Sequence, residues 1–209
     1  MTPESHIEIE RKYDVTDEVP TPSLVGVSLV SAESLPSSVE LVAVYYDTAE
    51  LTLAKRHIAL RRREGGADAG WHIKLPGDEG RTELHWPLGT GSEAPLPVLA
   101  AIRARTGTSD IPLAPIVPIA RVTNLRTTTL LFDSDERVLA ELCDDHVHSE
   151  NLHAGGTLRW REWEVELHDD APGTREARTD FLDRVEERLL QAGATVSGSS
   201  SKLARALGL

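Results

Sequence analysis

The sequence predicts an α+β fold of about eight strands, mainly antiparallel, closed off by a C-terminal helix. Three observations carry this. Apolar and charged residues alternate in several runs, most clearly in HIEIERKY at residues 6–13 and TLRWREWEVEL at residues 157–167. The middle runs are separated by GGADAG (65–70) and PGDEG (76–80), whose turn chemistry joins consecutive antiparallel strands. Near the end, Phe181, Leu182, Val185, Leu189 and Leu190 fall on one stripe of a helix over 175–192, with Gly193 as its stop.

The elements follow in order. After the first strand, TDEVPTPSLVGVSLV (16–30) mixes prolines with Leu24, Val27 and Leu29, which predicts a loop leading into a short helix. The β-branched and aromatic run VELVAVYYD (39–47) is a largely buried strand, and TAELTLAKR (48–56) a short helical or turn connection. HIALRRRE, WHIKLP and RTELHWPL form consecutive strands over 57–88. A loop at 89–97 precedes a helix in PVLAAIRARTG, with Leu99 and Ile102 at helical spacing and Gly107 as its stop. IPLAPIVPIA (111–120) reads as a proline-studded connector. Strands follow at 121–132, after the turn DSDE, and after the turn NLHAGG; SKLARAL (201–207) is a short closing segment.

Composition narrows the function. With 209 residues the chain suits one well-buried domain, 1–209. A net charge of −12 argues against a nucleic-acid surface, which needs a broad basic patch, so any anion site must be local and enclosed. The single cysteine, Cys143, excludes an internal disulfide and fits a small buried residue better than a nucleophile. The sequence shows no apolar run of signal-peptide or membrane-spanning length, which points to a cytoplasmic protein with no membrane partner. SGSSSK lacks the glycine before lysine that a P-loop needs, and no G-x-S-x-G occurs. His146 and His148 share a strand face without further ligands at zinc spacing.

The charges are distributed unevenly along the strands. Ile7 and Ile9 take one face of the first strand and Glu8, Glu10 and Lys12 the other, because successive side chains alternate. Carboxylates two apart lie about 7 Å from one another. Their repulsion is roughly 2 kcal/mol at a dielectric near 20 and under about 1 kcal/mol in open water. One such face is ordinarily just solvated. A second, with Glu162, Glu164 and Glu166 together, makes a divalent cation the alternative. Arginine outnumbers lysine eighteen to four, so Lys12, Lys74 and Lys202 are choices that invite a reason. Arg61 and Arg63 share a face, as do His72 with Lys74 and Arg81 with Glu83, while Arg62 points the other way as a solvated residue. Eight such strands can form an open sheet or a closed barrel.

EIERK at 8–12 fits E-x-E-x-K, and the chain continues with YYDT (45–48), LRRR (60–63), WHIK (71–74), RTE (81–83), a strand bearing Arg126, the Asp144 and Asp145 pair, EWEVEL (162–167) and SSK ending at Lys202. In this order the series resembles the CYTH family, the triphosphate tunnel metalloenzymes. The resemblance implies a closed eight-stranded antiparallel β-barrel whose charged faces line a tunnel, with flanking helices covering Ile7, Ile9 and the rest of the apolar exterior.

The resemblance also implies chemistry. Lys12, Arg61, Arg63, Lys74, Arg81, Arg126 and Lys202 become the cradle for a triphosphate, a task that suits the guanidinium fork. Mg2+ or Mn2+ becomes the cofactor, with Glu8, Glu10, Asp144, Glu162 and Glu164 as ligands. Glu164 with Glu166 stays open against Glu162 with Glu164, and Asp145 against Asp144, because alternation alone does not settle either. Glu10, Lys12 and Glu164 stand nearest the chemistry. The implied activity is hydrolysis of a triphosphate, foremost inorganic triphosphate; thiamine triphosphatases and adenylate cyclases belong to the same family. The alternative is a module that binds triphosphate or polyphosphate without turnover, since a CYTH domain is often followed by a helical CHAD domain linked to polyphosphate.

Overall fold

The computed structural model describes residues 2–89, 91–106 and 115–209, with backbone alone at 105 and 106. The expected helix stop at Gly107 and the first part of the proline-studded connector, 111–114, lie outside the described residues. The strands are β1 (Glu4–Glu8), β2 (Glu10–Val15), β3 (Ala32–Glu33), β4 (Ser37–Asp47), β5 (Ala59–Glu64), β6 (Gly70–Pro76), β7 (Arg81–Pro87), β8 (Val117–Phe132), β9 (Val138–Asn151), β10 (Thr157–Leu167) and β11 (Thr195–Val196). The helices are α1 (Leu96–Thr106), α2 (Arg175–Ala192) and α3 (Lys202–Leu207).

One antiparallel sheet contains all the strands, in the order β1-β7-β6-β5-β4-β8-β9-β10-β2-β11, with β3 added beside β8. It curls into an open half-barrel and is not the closed eight-stranded barrel expected. Both flanks of the sheet meet the N-terminal run around Ile9. The N-terminal run divides there, so that β1 pairs with β7 on one flank and β2 pairs with β10 on the other. The Ile9 carbonyl accepts from Leu167 N–H at 2.9 Å, which ties the break to the end of β10. On the opposite flank the turn before β7 passes close under β1: Gly80 has φ +75°, and a Cβ there would stand 2.0 Å from the Glu8 carbonyl oxygen.

Apolar residues gather behind the sheet. Tyr13, Val15, Trp163 and Val165 of β2 and β10 pack with Phe181, Leu182, Val185 and Leu189 of α2. Tyr46, Leu60, Trp71, Ile73, Leu84 and Trp86 pack with Val98 and Ile102 of α1. Burying each such side chain contributes about 1.5–3 kcal/mol, which turns this face of the sheet away from water. Helix α2 has the bounds predicted from its stripe: Thr174 caps its N-terminus, and Gly193, at φ 111°, donates to the carbonyls of Leu189 and Leu190. Leu190, at the stripe's edge, is 41% exposed.

Three local expectations are corrected. No helix forms in 16–30; the segment runs in turns that bury Leu24 and Val30, and Pro20 and Pro22 deprive it of backbone donors. Strand β8 begins at Val117, inside the stretch read as a connector, and Pro118 is accommodated where the β4–β8 register shifts at Tyr45/Tyr46. Ile9 is partly buried against the α2 core, but Ile7 is 65% exposed, so helices do not cover both isoleucines. Ile7 belongs to β1, on the far side of the break from the strand that α2 covers.

Candidate functional site

The concave face of the curled sheet encloses a cavity of about 440 Å³, within the range typical of ligand sites. Strand alternation decides what faces it. Glu8, Glu10 and Lys12 line it from β1 and β2, Arg61 and Arg63 from β5, Lys74 from β6, and Arg81 and Glu83 from β7. From the other side come Arg126 of β8, Glu141 of β9, Glu164 and Glu166 of β10, and Lys202 at the start of α3. The cavity therefore brings together every residue expected in the phosphate cradle.

Its charges are polarised. Carboxylates gather at the meeting of β1, β2, β9 and β10, where Glu10, Glu166 and Glu141 stand in register across three strands. Arg63 of β5 stands close enough to Arg61 and to Arg126 of β8 for both to repel it. Burial, followed by Arg61 and Arg126, pulls the Arg63 guanidinium down to about 9, which still leaves it a cation at neutral pH. Among the described residues it is ion-paired with Asp68 alone, an exposed loop carboxylate.

A network of ions joins the two regions. Lys12 Nζ donates to Glu10 at 2.7 Å and to Glu164. Burial opposes the Lys12 charge, yet Glu164 and Glu10 outweigh it and hold its pKa above the ordinary lysine value. Burial likewise opposes the Glu164 charge, and Lys12, Lys202 and Arg126 reverse this, keeping its pKa well below the usual carboxylate range. Lys202 Nζ lies 2.7 Å from Asp145, 2.6 Å from Glu162 and 2.7 Å from Glu164. Arg81 donates to the Ser200 carbonyl at 3.2 Å, so it stands close to the residues that lead into α3.

Two expected ligands lie outside the cavity lining. Asp144 lies on the opposite face of β9, where Arg161 grips it at 2.8 and 2.7 Å and Thr21 donates at 2.6 Å. Asp145 takes the inward place, because its register partner is Arg126 and alternation then turns Asp144 outward. Glu162 shares the face of Glu164 but sits behind Lys202, outside the cavity lining; the lining pair is Glu164 and Glu166. Sequence reading missed the role of Glu83. Only 3% exposed, it lies 2.8 Å from His72 Nδ1 and accepts from Arg61 at 3.2 Å. Burial opposes its charge, and His72, Lys74 and Arg61 hold its pKa far below the usual range. Its alternation with Arg81 in RTE was the available signal.

The donor set fits a divalent cation. Among the described residues, one group of potential ligands is Asp145, Glu162 and Glu164, and a second is His6, Glu8 and Glu166. The first is already neutralised by Lys202 and Arg126. In the second, Glu8 Oε1 accepts from Lys74 at 2.7 Å while Oε2 is buried without a partner. Burial, then the Glu8 charge, pushes Glu166 up to about 7, as happens to a carboxylate short of cations.

The CYTH domain family matches residues 6–198. The chain belongs to the CYTH family. Two Mycobacterium tuberculosis proteins, from strains CDC 1551 and H37Rv and named only as uncharacterized, are each 41% identical to it over 218 residues, or 99% of this chain. The chain spans 41% of the length of those relatives. Among solved structures, a proposed adenylate cyclase from Bacillus halodurans aligns with TM-score 0.64 and 21% identity over 96% of this chain and 97% of its own. A proposed adenylyl cyclase from Hippeastrum, described as having a dominant triphosphatase activity, aligns with TM-score 0.51 and 21% identity over 95% and 94%. At such identities the likeness is one of fold, and the CYTH fold here is the curled antiparallel sheet with its few helices. No helix among the described residues is long and apolar enough to cross a membrane.

Proposed function

We propose that this CYTH chain is a divalent-metal-dependent triphosphatase acting foremost on inorganic triphosphate. The observation that carries the reading is the polarised cavity: arginines of β5 and β8 face carboxylates of β1, β2, β9 and β10 across about 440 Å³. A triphosphate needs several cations at once, and Arg61, Arg63, Lys74, Arg81 and Arg126 bind its oxygens from β5, β6, β7 and β8, with Lys202 from α3. Glu83 orients Arg61, and Glu8 orients Lys74. Glu10 and Glu164 keep Lys12 charged and aimed at the cavity, where its ammonium stabilises charge on the phosphoryl group in transfer. Glu8, Glu10 and Glu166 are the residues that hold the metal, with Glu164 beside them. A bound Mg2+ or Mn2+ supplies Lewis-acid charge at phosphate oxygens. No covalent nucleophile is needed, since phosphoryl transfer depends mainly on positioning and charge.

A second reading, an organic triphosphate such as thiamine triphosphate or ATP, is favoured by the uncharged part of the wall, where Val39, Leu41, Ala43 and Val122 line the cavity. The test is phosphate release by EDTA-stripped protein, with and without Mg2+ or Mn2+, from inorganic triphosphate, thiamine triphosphate and ATP, with cyclic AMP assayed in parallel. Metal-dependent release, fastest from inorganic triphosphate, is expected. Full activity in EDTA would remove the metal from the reading, and triphosphate binding without any release would make the chain a binding module.

A further inference from the structure

The acidic end of the cavity contains a nitrogen donor. His6 lies two residues before Glu8 on β1, so the strand period places both side chains on one face. It stands in register with Glu83 of β7, and its Nε2 is 3.3 Å from Glu83 Oε2 and 3.9 Å from Glu8 Oε1. One donor atom from each of His6, Glu8 and Glu166 lies within 4.8 Å of the other two. Glu8 is 4% exposed, and with Lys74 on Oε1 its Oε2 remains buried without a hydrogen-bond partner. Glu166 has no ion pair among the described residues. Two carboxylates and an imidazole thus converge, and one of these carboxylates keeps a buried oxygen without a hydrogen-bond partner, an atom that is costly unless something binds it.

We propose that His6 Nε2 is a direct ligand of the divalent ion held by Glu8 and Glu166, and that this nitrogen makes the site select Mn2+ over Mg2+. The inference rests on the metal site of the proposed function and adds the residue that sets its preference. Mg2+ is a hard ion that keeps oxygen ligands and gives up water reluctantly. An imidazole suits first-row transition ions, whose affinity for mixed nitrogen and oxygen sites exceeds that of Mg2+. The His6 side chain is about half exposed, and a histidine that binds metal through one ring nitrogen commonly donates from the other.

The experiment uses the full chain, stripped with EDTA, with Mn2+ alone as the probe and no triphosphate present. Pulsed electron paramagnetic resonance of bound Mn2+ should show coupling to a ¹⁴N nucleus, and His6→Ala should abolish it. Mn2+ titration in competition with Mg2+ should show the Mn2+/Mg2+ affinity ratio falling at least about tenfold in His6→Ala. Mg2+ affinity itself should barely move, with circular dichroism confirming the fold. Absence of ¹⁴N coupling in the wild type, coupling that persists in His6→Ala, or an unchanged ratio would each overturn the assignment. Because no substrate is added, failure of triphosphate hydrolysis leaves these readouts intact, and the two ideas fail separately.

Discussion

Arg126 and Asp145 stand opposite one another in register on β8 and β9, joined by two parallel hydrogen bonds of 2.8 and 2.7 Å. The fork fixes the plane of the Arg126 guanidinium, whose Nη2 also reaches Glu164. Asp145 is fully buried, and it also holds Lys202, so one carboxylate sets two cradle cations.

Asp145→Asn should therefore weaken triphosphate binding, because Arg126 and Lys202 lose their shared anion. Asp144→Asn, on the opposite face, should leave that affinity at the wild-type level and cost about 1–3 kcal/mol of stability through its bonds to Arg161. Calorimetric triphosphate titration beside urea unfolding separates the two. Reversed effects would mean that the strand presents the other face to the cavity.

Arg63→Ala and Glu10→Gln should fail in different ways. Arg63 is a buried cation beside two other arginines, so its loss should weaken triphosphate binding by about 1.5–3 kcal/mol without lowering the stability of the free protein. Glu10→Gln removes a carboxylate from the metal side and a partner of Lys12, so turnover should collapse while part of the binding survives. If both variants kept wild-type turnover and affinity, the cavity would not be the site of reaction.

Metal-free stability should fall between about pH 4.5 and 7, and Glu166 is the reason. Its folded pKa is raised to about 7 from the ordinary 4.5. The folded state thus holds a proton that the unfolded chain has released, and the group's stabilisation is full below pH 4.5 and lost as pH rises through 7. Glu8, also raised by burial, contributes in the same direction. Glu164 and Glu83, whose pKa values are depressed, act in the opposite sense but at lower pH. Denaturant unfolding in EDTA across this range should show a shallower decline in Glu166→Gln than in the wild type. Equal slopes would exclude Glu166 as the source.

Much of the molecule was legible because it is local. The alternation of Glu8, Glu10 and Lys12, and that of Glu162, Glu164 and Glu166, follows from the strand period of two. The bounds of α2 follow from its apolar stripe and Gly193, and all seven cradle cations line the cavity because each alternates correctly within its own strand. The placements that alternation left open depend on partners in other strands. Asp144 and Asp145 both face an arginine, Arg161 on the outer face and Arg126 on the inner one, and only the register between β8 and β9 says which of them shares the face of the cavity-lining Arg126. Glu166 displaces Glu162 in the lining because the end of β10 meets Glu10 while Lys202 reaches over Glu162. Ile7 stays exposed because the first run breaks at Ile9 and leaves it on β1, beyond the strand that α2 covers. Sequence by itself determined which residues share a face. Tertiary structure decided which face closes on which, because pairing between strands far apart in sequence, such as β2 with β10, is set by the packing of the whole sheet and by no spacing within a strand.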